Sequence, residues 1–185
     1  RLPAEYERYT VGTWVGEIGR LMTTRNFIVT DAGGQRIAAA STLWAMIDVK
    51  TRQPLDLRDN VDYSRALLAI PCPIDKPAKI GRIEGVPCDS RRVRYSDIDF
   101  NQHTNSMKYI QWMLDALPLE KLTGCRMKRL DVNFVHETRY GQQLVVCCEY
   151  GTDRDRFEIR FEDGTAACKA AIRWETSDER SNQTA

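Results

Sequence analysis

Histidine is scarce in this sequence, two residues in 185, and none of the six cysteines forms a Cys-x-x-Cys pair. With only His103 and His136 to join Cys72, Cys88, Cys125, Cys147, Cys148 and Cys168, the usual ligand spacing of a zinc site is missing, and no metal is expected. His136-Glu137 is no zinc-protease motif either, because Tyr140 stands where the second histidine belongs. The cysteines read as reduced thiols, and alternation would send the vicinal Cys147 and Cys148 to opposite faces of a strand. Gly-x-Ser-x-Gly, P-loop and Gly-x-Gly-x-x-Gly motifs are missing too. That removes the usual signatures of serine hydrolases, nucleotide hydrolases and dinucleotide enzymes, and no cofactor is expected. Nor is there a charge excess: 27 Lys and Arg against 26 Asp and Glu leave a net charge of +1, no footprint for general nucleic-acid binding. No apolar run approaches the roughly 18 residues that span a bilayer, and no charged, apolar, small-residue leader opens the chain. The expectation is a soluble, unsecreted chain with no membrane partner; its start at Arg1 rather than Met reads as a fragment.

What remains is 42% hydrophobic and 29% charged, ordinary for a domain that folds around a core. Residues 10–49 read as three strands, Thr10–Glu17, Leu21–Thr30 and Arg36–Val49, separated by glycine-containing breaks, which makes an antiparallel meander. Residues 143–175 repeat the theme with Leu144–Tyr150, Arg156–Phe161 and Ala166–Glu175. In each meander a glycine precedes a tryptophan by ten residues across an alanine-rich strand, Gly34 to Trp44 and Gly164 to Trp174. Both pairs sit at an offset of 130, which suggests an internal duplication. Between the meanders lies a proline-broken linker, Thr51–Pro77, with one candidate helix near Val61–Ala69.

A second unit opens near Ala78 with two expected strands, Lys79–Glu84 and Arg91–Tyr95. After a polar run comes an amphipathic helix whose stripe is Met107, Ile110, Leu114 and Leu117, with Met113 beside it and Pro118 as the stop. Leu130, Val132 and Phe134 then recur with a period of two and predict a half-buried strand over Lys128–Glu137. One long helix against an antiparallel sheet is an α+β layer arrangement. The first meander has no such helix, so the first copy reads as truncated at its N-terminus. Its sheet, carrying Val11, Ile18, Phe27, Ile37 and Trp44, would need missing residues or a partner subunit as cover. The boundaries drawn are 1–50 for a partial first copy, 51–77 for the linker, 78–176 for the second copy and 177–185 for a polar tail.

The densest set of hydrogen-bonding side chains is Asp97, Asp99, Asn101, His103 and Asn105, spaced by two just ahead of the helix. In an extended segment such residues point the same way and could converge beside the unpaired N–H groups of the helix start, where a carbonyl can be polarised and an oxyanion stabilised. Such a site suits acyl transfer, with His103 for proton transfer or a directed hydrogen bond, Asn101 as neutral donor and acceptor, and Asp99 to orient them. Turn formation and helix capping account for Asp99, Asn101, Thr104 and Asn105 equally well.

The run Arg94-Tyr95-Ser96-Asp97-Ile98-Asp99-Phe100-Asn101-Gln102-His103-Thr104-Asn105-Ser106-Met107-Lys108-Tyr109-Ile110-Gln111-Trp112 closely resembles the most diagnostic segment of the acyl-ACP thioesterases, which release fatty acids from acyl carrier protein. Thr13-Trp14-Val15 and Ser41-Thr42-Leu43-Trp44-Ala45-Met46-Ile47-Asp48 look like that family as well. The resemblance implies a tandem hotdog, two antiparallel sheets each wrapped round one long helix. It implies catalytic roles for Asp99, Asn101, His103 and, on the following strand, Glu137. Plant members have a cysteine after that glutamate; Thr138 stands there in this chain, which disfavours a cysteine nucleophile and favours a carboxylate-activated water. The thioester carbonyl would sit over the helix start near Asn105 and Ser106. Strict alternation places Glu137 on the face opposite Phe134, so it must reach the pocket through a bend.

The implied partners are a fatty acyl thioester and the acidic acyl carrier protein, met by a basic rim drawn from Arg91, Arg92, Arg94, Lys108, Arg126, Lys128, Arg129 and Arg139. A homodimer is left open. The implied compartment is the cytoplasm, or the plastid stroma for a plant chain. Two other readings stand beside this one: a hotdog thioesterase acting on acyl-CoA, and a non-catalytic acyl-binding hotdog.

Overall fold

The computed structural model describes residues 4–60, 62, 68 and 70–175. The chain divides after Pro77 into two compact units. In the first, β1 (Tyr9–Ile18), β2 (Thr23–Asp31) and β3 (Arg36–Trp44) form an antiparallel sheet in sequence order, followed by the four-residue helix α1 (Leu57–Asn60). The third strand stops at Trp44, short of the expected Val49. Beyond it Asp48 folds the chain back by accepting the N–H groups of Lys50 and Thr51 at 2.9 and 2.7 Å, an Asx turn. Val11 and Trp44 are each 55% exposed on this sheet. The helix expected near Val61–Ala69 falls largely, and the polar tail from Ser177 wholly, outside the described residues.

The second unit is a hotdog. Its elements run β4 (Val86–Arg92), α2 (Ser106–Asp115), α3 (Leu119–Gly124), β5 (Met127–Phe134), β6 (Gln143–Glu149), β7 (Arg154–Phe161) and β8 (Ala166–Trp174). The strands pair antiparallel in the order β4-β6-β7-β8-β5. Leu144, Val146, Phe157, Ile159, Cys168, Ala170 and Ile172 bury one face of the sheet against α2. Tyr109, Trp112 and Met113 hold the helix, and Leu117 of the expected stripe is buried just beyond it; of the rest of that stripe, Met107 at the helix start is 63% exposed, and Ile110 and Leu114 are half-buried. The sheet beneath is lined by small residues, Ala167, Cys168 and Ala170, and the space they leave is filled by aromatic rings, with Tyr109 meeting Trp112 edge-on at 5.7 Å.

The strands expected at Lys79–Glu84 and Arg91–Tyr95 are replaced by the single strand β4. Residues 78–84 cross the opposite face of the sheet, where Ile80 and Ile83 pack on Ala171. Their backbone groups pair with side chains instead of a ladder: Asn133 accepts from Ile80 N at 2.8 Å, and the Arg156 and Arg160 guanidinium groups donate to the carbonyls of Arg82 and Ile83. That satisfies backbone groups of a part-buried segment without making a strand.

The suggested duplication has a counterpart in the ladder. Between β2 and β3 the register steps from Val29–Ala38 to Thr30–Arg36, and between β7 and β8 from Ile159–Cys168 to Arg160–Ala166, the same irregularity at the same offset of 130. Each turn is closed by a glycine at positive φ, Gly34 at 81° and Gly164 at 83°, a conformation costly for a residue with a Cβ.

Candidate active site

Between β4 and α2 the chain does not run extended, so Asp97, Asp99, Asn101, His103 and Asn105 do not simply line one side of it. A 3₁₀ turn at Tyr95–Asp97 is closed by Asp97 accepting Arg94 N at 2.8 Å. A tight reversal then brings Ile98 opposite Thr104. Asp99 organises that reversal: its carboxylate accepts the N–H groups of Asn101 at 2.9 Å and His103 at 3.3 Å, and its own N–H donates to the His103 carbonyl at 2.9 Å. Gln102 takes the left-handed conformation, φ 64°, at the tip. Asp99 therefore shapes the loop that presents His103, the turn-forming role its residue type favours. Asn101 lies exposed on the same loop.

Asn105 caps α2, its side chain accepting Met107 N at 2.9 Å while its carbonyl accepts Lys108 N at 2.9 Å. Neither bond uses the N–H of Ser106, the first helical residue, whose side chain is exposed. An N–H at the start of a helix is the kind of donor that can meet a developing oxyanion. Lys108, one turn in, holds its ammonium 3.6 Å from Asp97.

Glu137 arrives from the end of β5. Val135 N and His136 N both donate to the single carbonyl of Ala167, at 2.9 and 3.0 Å. Two residues opposite one break the alternation as a bulge does, and the bend turns Glu137 toward the loop. His103 Nε2 lies 3.2 Å from Glu137 Oε2. Both side chains keep partial access to solvent, 23% for His103 and 44% for Glu137. The structure thus brings together His103 and Glu137 beside the helix start, with Asp99 behind His103.

Three residues that sequence reasoning left outside the catalytic set lie next to this pair. Thr104, Tyr109 and Thr138 are buried with their hydroxyls in mutual contact. Burial pushes the Tyr109 phenol up, hydrogen bonds from Thr138 opposing the shift. The one available signal was that two of them directly follow His103 and Glu137 in sequence. Of the basic rim, Arg91 is tied to Asp89 and Asp115, and Arg129 to Asp131, whereas Arg92, Arg94 and Arg139 are exposed.

Residues 84–176 match the acyl-ACP thioesterase C-terminal domain, and residues 1–63 match the acyl-ACP thioesterase N-terminal domain. A palmitoyl-acyl carrier protein thioesterase of Cuphea hookeriana is 27% identical over 192 residues, covering 94% of this chain and 45% of its own length. An acyl-[acyl-carrier-protein] hydrolase of Cuphea viscosissima is 26% identical over 198 residues, covering 98% and 47%. The chain spans about half the length of the curated relatives it matches. Among solved structures, an acyl-ACP thioesterase from Bacteroides thetaiotaomicron superposes with a TM-score of 0.87 at 33% identity, over 94% of this chain and 71% of that one. The 12:0-ACP thioesterase of Umbellularia californica shares the fold, with a TM-score of 0.77 at 20% identity over 94% of this chain and 70% of that one. The loop, the bend and the helix start around His103 and Glu137 all lie inside the stretch matched to the C-terminal domain, and the chain belongs to the acyl-ACP thioesterase family.

Proposed function

We propose that this chain hydrolyses the thioester of an acyl-acyl carrier protein and releases the free fatty acid. The observation that supports the reading is the 3.2 Å approach of His103 to Glu137 at the start of α2. With a thioester carbonyl over the Ser106 amide, Glu137 takes a proton from water as the water oxygen bonds to the carbonyl carbon. The carbonyl electron pair moves onto oxygen, where the Ser106 N–H and the positive end of the helix meet the charge. Collapse restores the carbonyl and breaks the C–S bond. The thiolate takes the proton back from Glu137, leaving carboxylic acid and thiol. His103 orients the Glu137 carboxylate, Asn101 helps place the water or the acyl group, and Asp99 holds the loop in shape.

Exposed Arg92, Arg94 and Arg139 provide a basic rim for an acidic carrier protein. The compartment follows from that partner, the bacterial cytoplasm or the plastid stroma; no helix among the described residues is long and apolar enough to cross a membrane.

The test is turnover of purified chain against acyl-ACP and acyl-CoA of matched chain length, with Glu137→Gln as control. Glu137→Gln is expected to lower kcat by about 10²–10⁴-fold, the usual worth of a general base, with an unchanged melting temperature because the side chain is surface-accessible. Near-normal turnover by Glu137→Gln would remove it as the base. Preference for acyl-CoA would favour the coenzyme-linked substrate, and no turnover with retained acyl binding would leave a binding module.

A further inference from the structure

Thr138 directly follows Glu137 and Thr104 directly follows His103. Thr138 has no exposed surface; Thr104 and Tyr109 are buried with it. Its hydroxyl donates to Thr104 Oγ1 at 2.6 Å and lies 2.8 Å from the Tyr109 hydroxyl. The Thr138 amide donates to the Tyr109 oxygen at 3.1 Å, and the Thr104 amide donates to the Thr138 carbonyl at 2.8 Å. Proton counting fixes the direction of the chain. The Thr138 hydroxyl has one proton, spent on Thr104, so toward Tyr109 it accepts; the tyrosine, which already accepts the Thr138 amide, supplies its own proton. Burial keeps that phenol protonated, as this direction requires. Three segments, the His103 loop, the Glu137 bend and the first turn of α2, are thereby fastened at one buried point. Each of the two facing side chains is one residue away from it.

We propose that Thr138 is a positioning residue whose hydroxyl sets the approach of His103 to Glu137, and that it neither attacks nor touches the thioester. Its oxygen is buried and its proton committed, the reverse of what a nucleophile needs. A fully satisfied buried network of this kind gives rigidity and a single geometry. The proposal rests on the hydrolytic reading above for its kinetic arm alone.

The experiment compares Thr138→Val, which keeps the shape and removes donor and acceptor, with Thr138→Ser, which keeps both. It has three readouts: kcat and KM on palmitoyl-ACP, thermal unfolding, and the proton NMR resonance of the His103 ring N–H, displaced downfield by the Glu137 carboxylate. Thr138→Val should lower kcat by about 10- to 100-fold, the loss that a misplacement of about 1 Å brings, leave KM unchanged, and shift the ring resonance toward its position in Glu137→Gln. Thr138→Ser should recover both. A Thr138→Val variant with wild-type kcat and resonance overturns the proposal. So does one with a lower melting temperature alone, which would make Thr138 a stabilising residue only, and so does a folded Thr138→Ser that is as impaired as the valine variant. Should Thr138→Val not fold, Tyr109→Phe, which removes the proton given to Thr138, is read in the same way with the same outcomes. If the wild-type chain turns over no acyl-ACP, the hydrolytic reading fails by itself, and the resonance still decides the positioning role.

Discussion

Asp155 is fully buried in the second unit, and its replacement tests how the helical layer is tied to the sheet. One carboxylate oxygen accepts Lys121 Nζ at 2.7 Å and Gly151 N at 2.9 Å; the other accepts the Trp174 indole N–H at 2.6 Å. Lys121 comes from α3, Trp174 ends β8, and the ammonium also lies 5.6 Å from the Trp174 ring centroid. Asp155→Ala strips all three donors of their acceptor at once. Removing one partner of a buried ion pair costs about 3–5 kcal/mol, but Lys121 retains the Gly151 carbonyl at 2.8 Å and 18% of its side-chain surface, which argues for the lower end. An orphaned buried N–H adds about 1–3 kcal/mol, and the Trp174 indole, in a residue only 3% exposed, has no route to water. The expected loss is about 4 kcal/mol, large against the 5–15 kcal/mol that ordinarily stabilises a domain. Asp155→Asn keeps the shape but points an amide N–H at one set of donors, and about 3 kcal/mol is expected. The assay is urea unfolding followed by tryptophan fluorescence, reading a lower midpoint at constant slope. A midpoint within about 0.5 kcal/mol of wild type, the range of ordinary surface substitutions, would refute the claim that this carboxylate is a buried linchpin.

Other outcomes follow from the same reasoning. Asp131 accepts a two-pronged bond from Arg129 at 2.8 Å on each oxygen, and this bond, helped by the Ala78 N–H and opposed by burial, holds its carboxyl below the usual range. Because the folded pKa lies below the unfolded one, the stabilisation is complete above the unfolded value near pH 4 and is lost as pH falls through the folded value. Asp131→Asn should therefore flatten the acid limb of the unfolding midpoint plotted against pH, and an unchanged limb would show the pair to be inert. If Arg92, Arg94 and Arg139 steer a carrier protein, KM for acyl-ACP should rise steeply with salt, and charge reversal at Arg92 and Arg139 should reproduce the effect at low salt. Salt-independent KM would place the docking surface elsewhere.

Both meanders were legible because alternation and glycine turns are local: whether a strand has a buried face is written every second residue, and Gly34 and Gly164 close their turns whatever lies beyond. The limits of α2 were legible for the same reason. Asn105 supplies a side-chain acceptor to the first turn, and Pro118, standing at the N-cap of α3, separates the two helices. Which side of the helical run is buried was legible only in part: Met113 and Leu117 are in the core as expected. Met107, Ile110 and Leu114 make a good apolar stripe on paper, yet the small residues of β8 leave a space that only the rings of Tyr109 and Trp112 fill.

The amino-acid order by itself indicated most of the strands, suggested the duplication and singled out His103, since each depends on residues near in sequence or on a repeated pattern, whereas Glu137 was named by the family resemblance. Tertiary structure alone decided that the two would meet. Their approach depends on a carbonyl of Ala167 shared by Val135 and His136, and the hydroxyls of Thr104, Tyr109 and Thr138 come together next to them only once strand, loop and helix are packed. Pairings of this kind join residues some thirty positions apart and have no local signature, because the free energy that selects them comes from satisfying buried donors and acceptors after the core has closed.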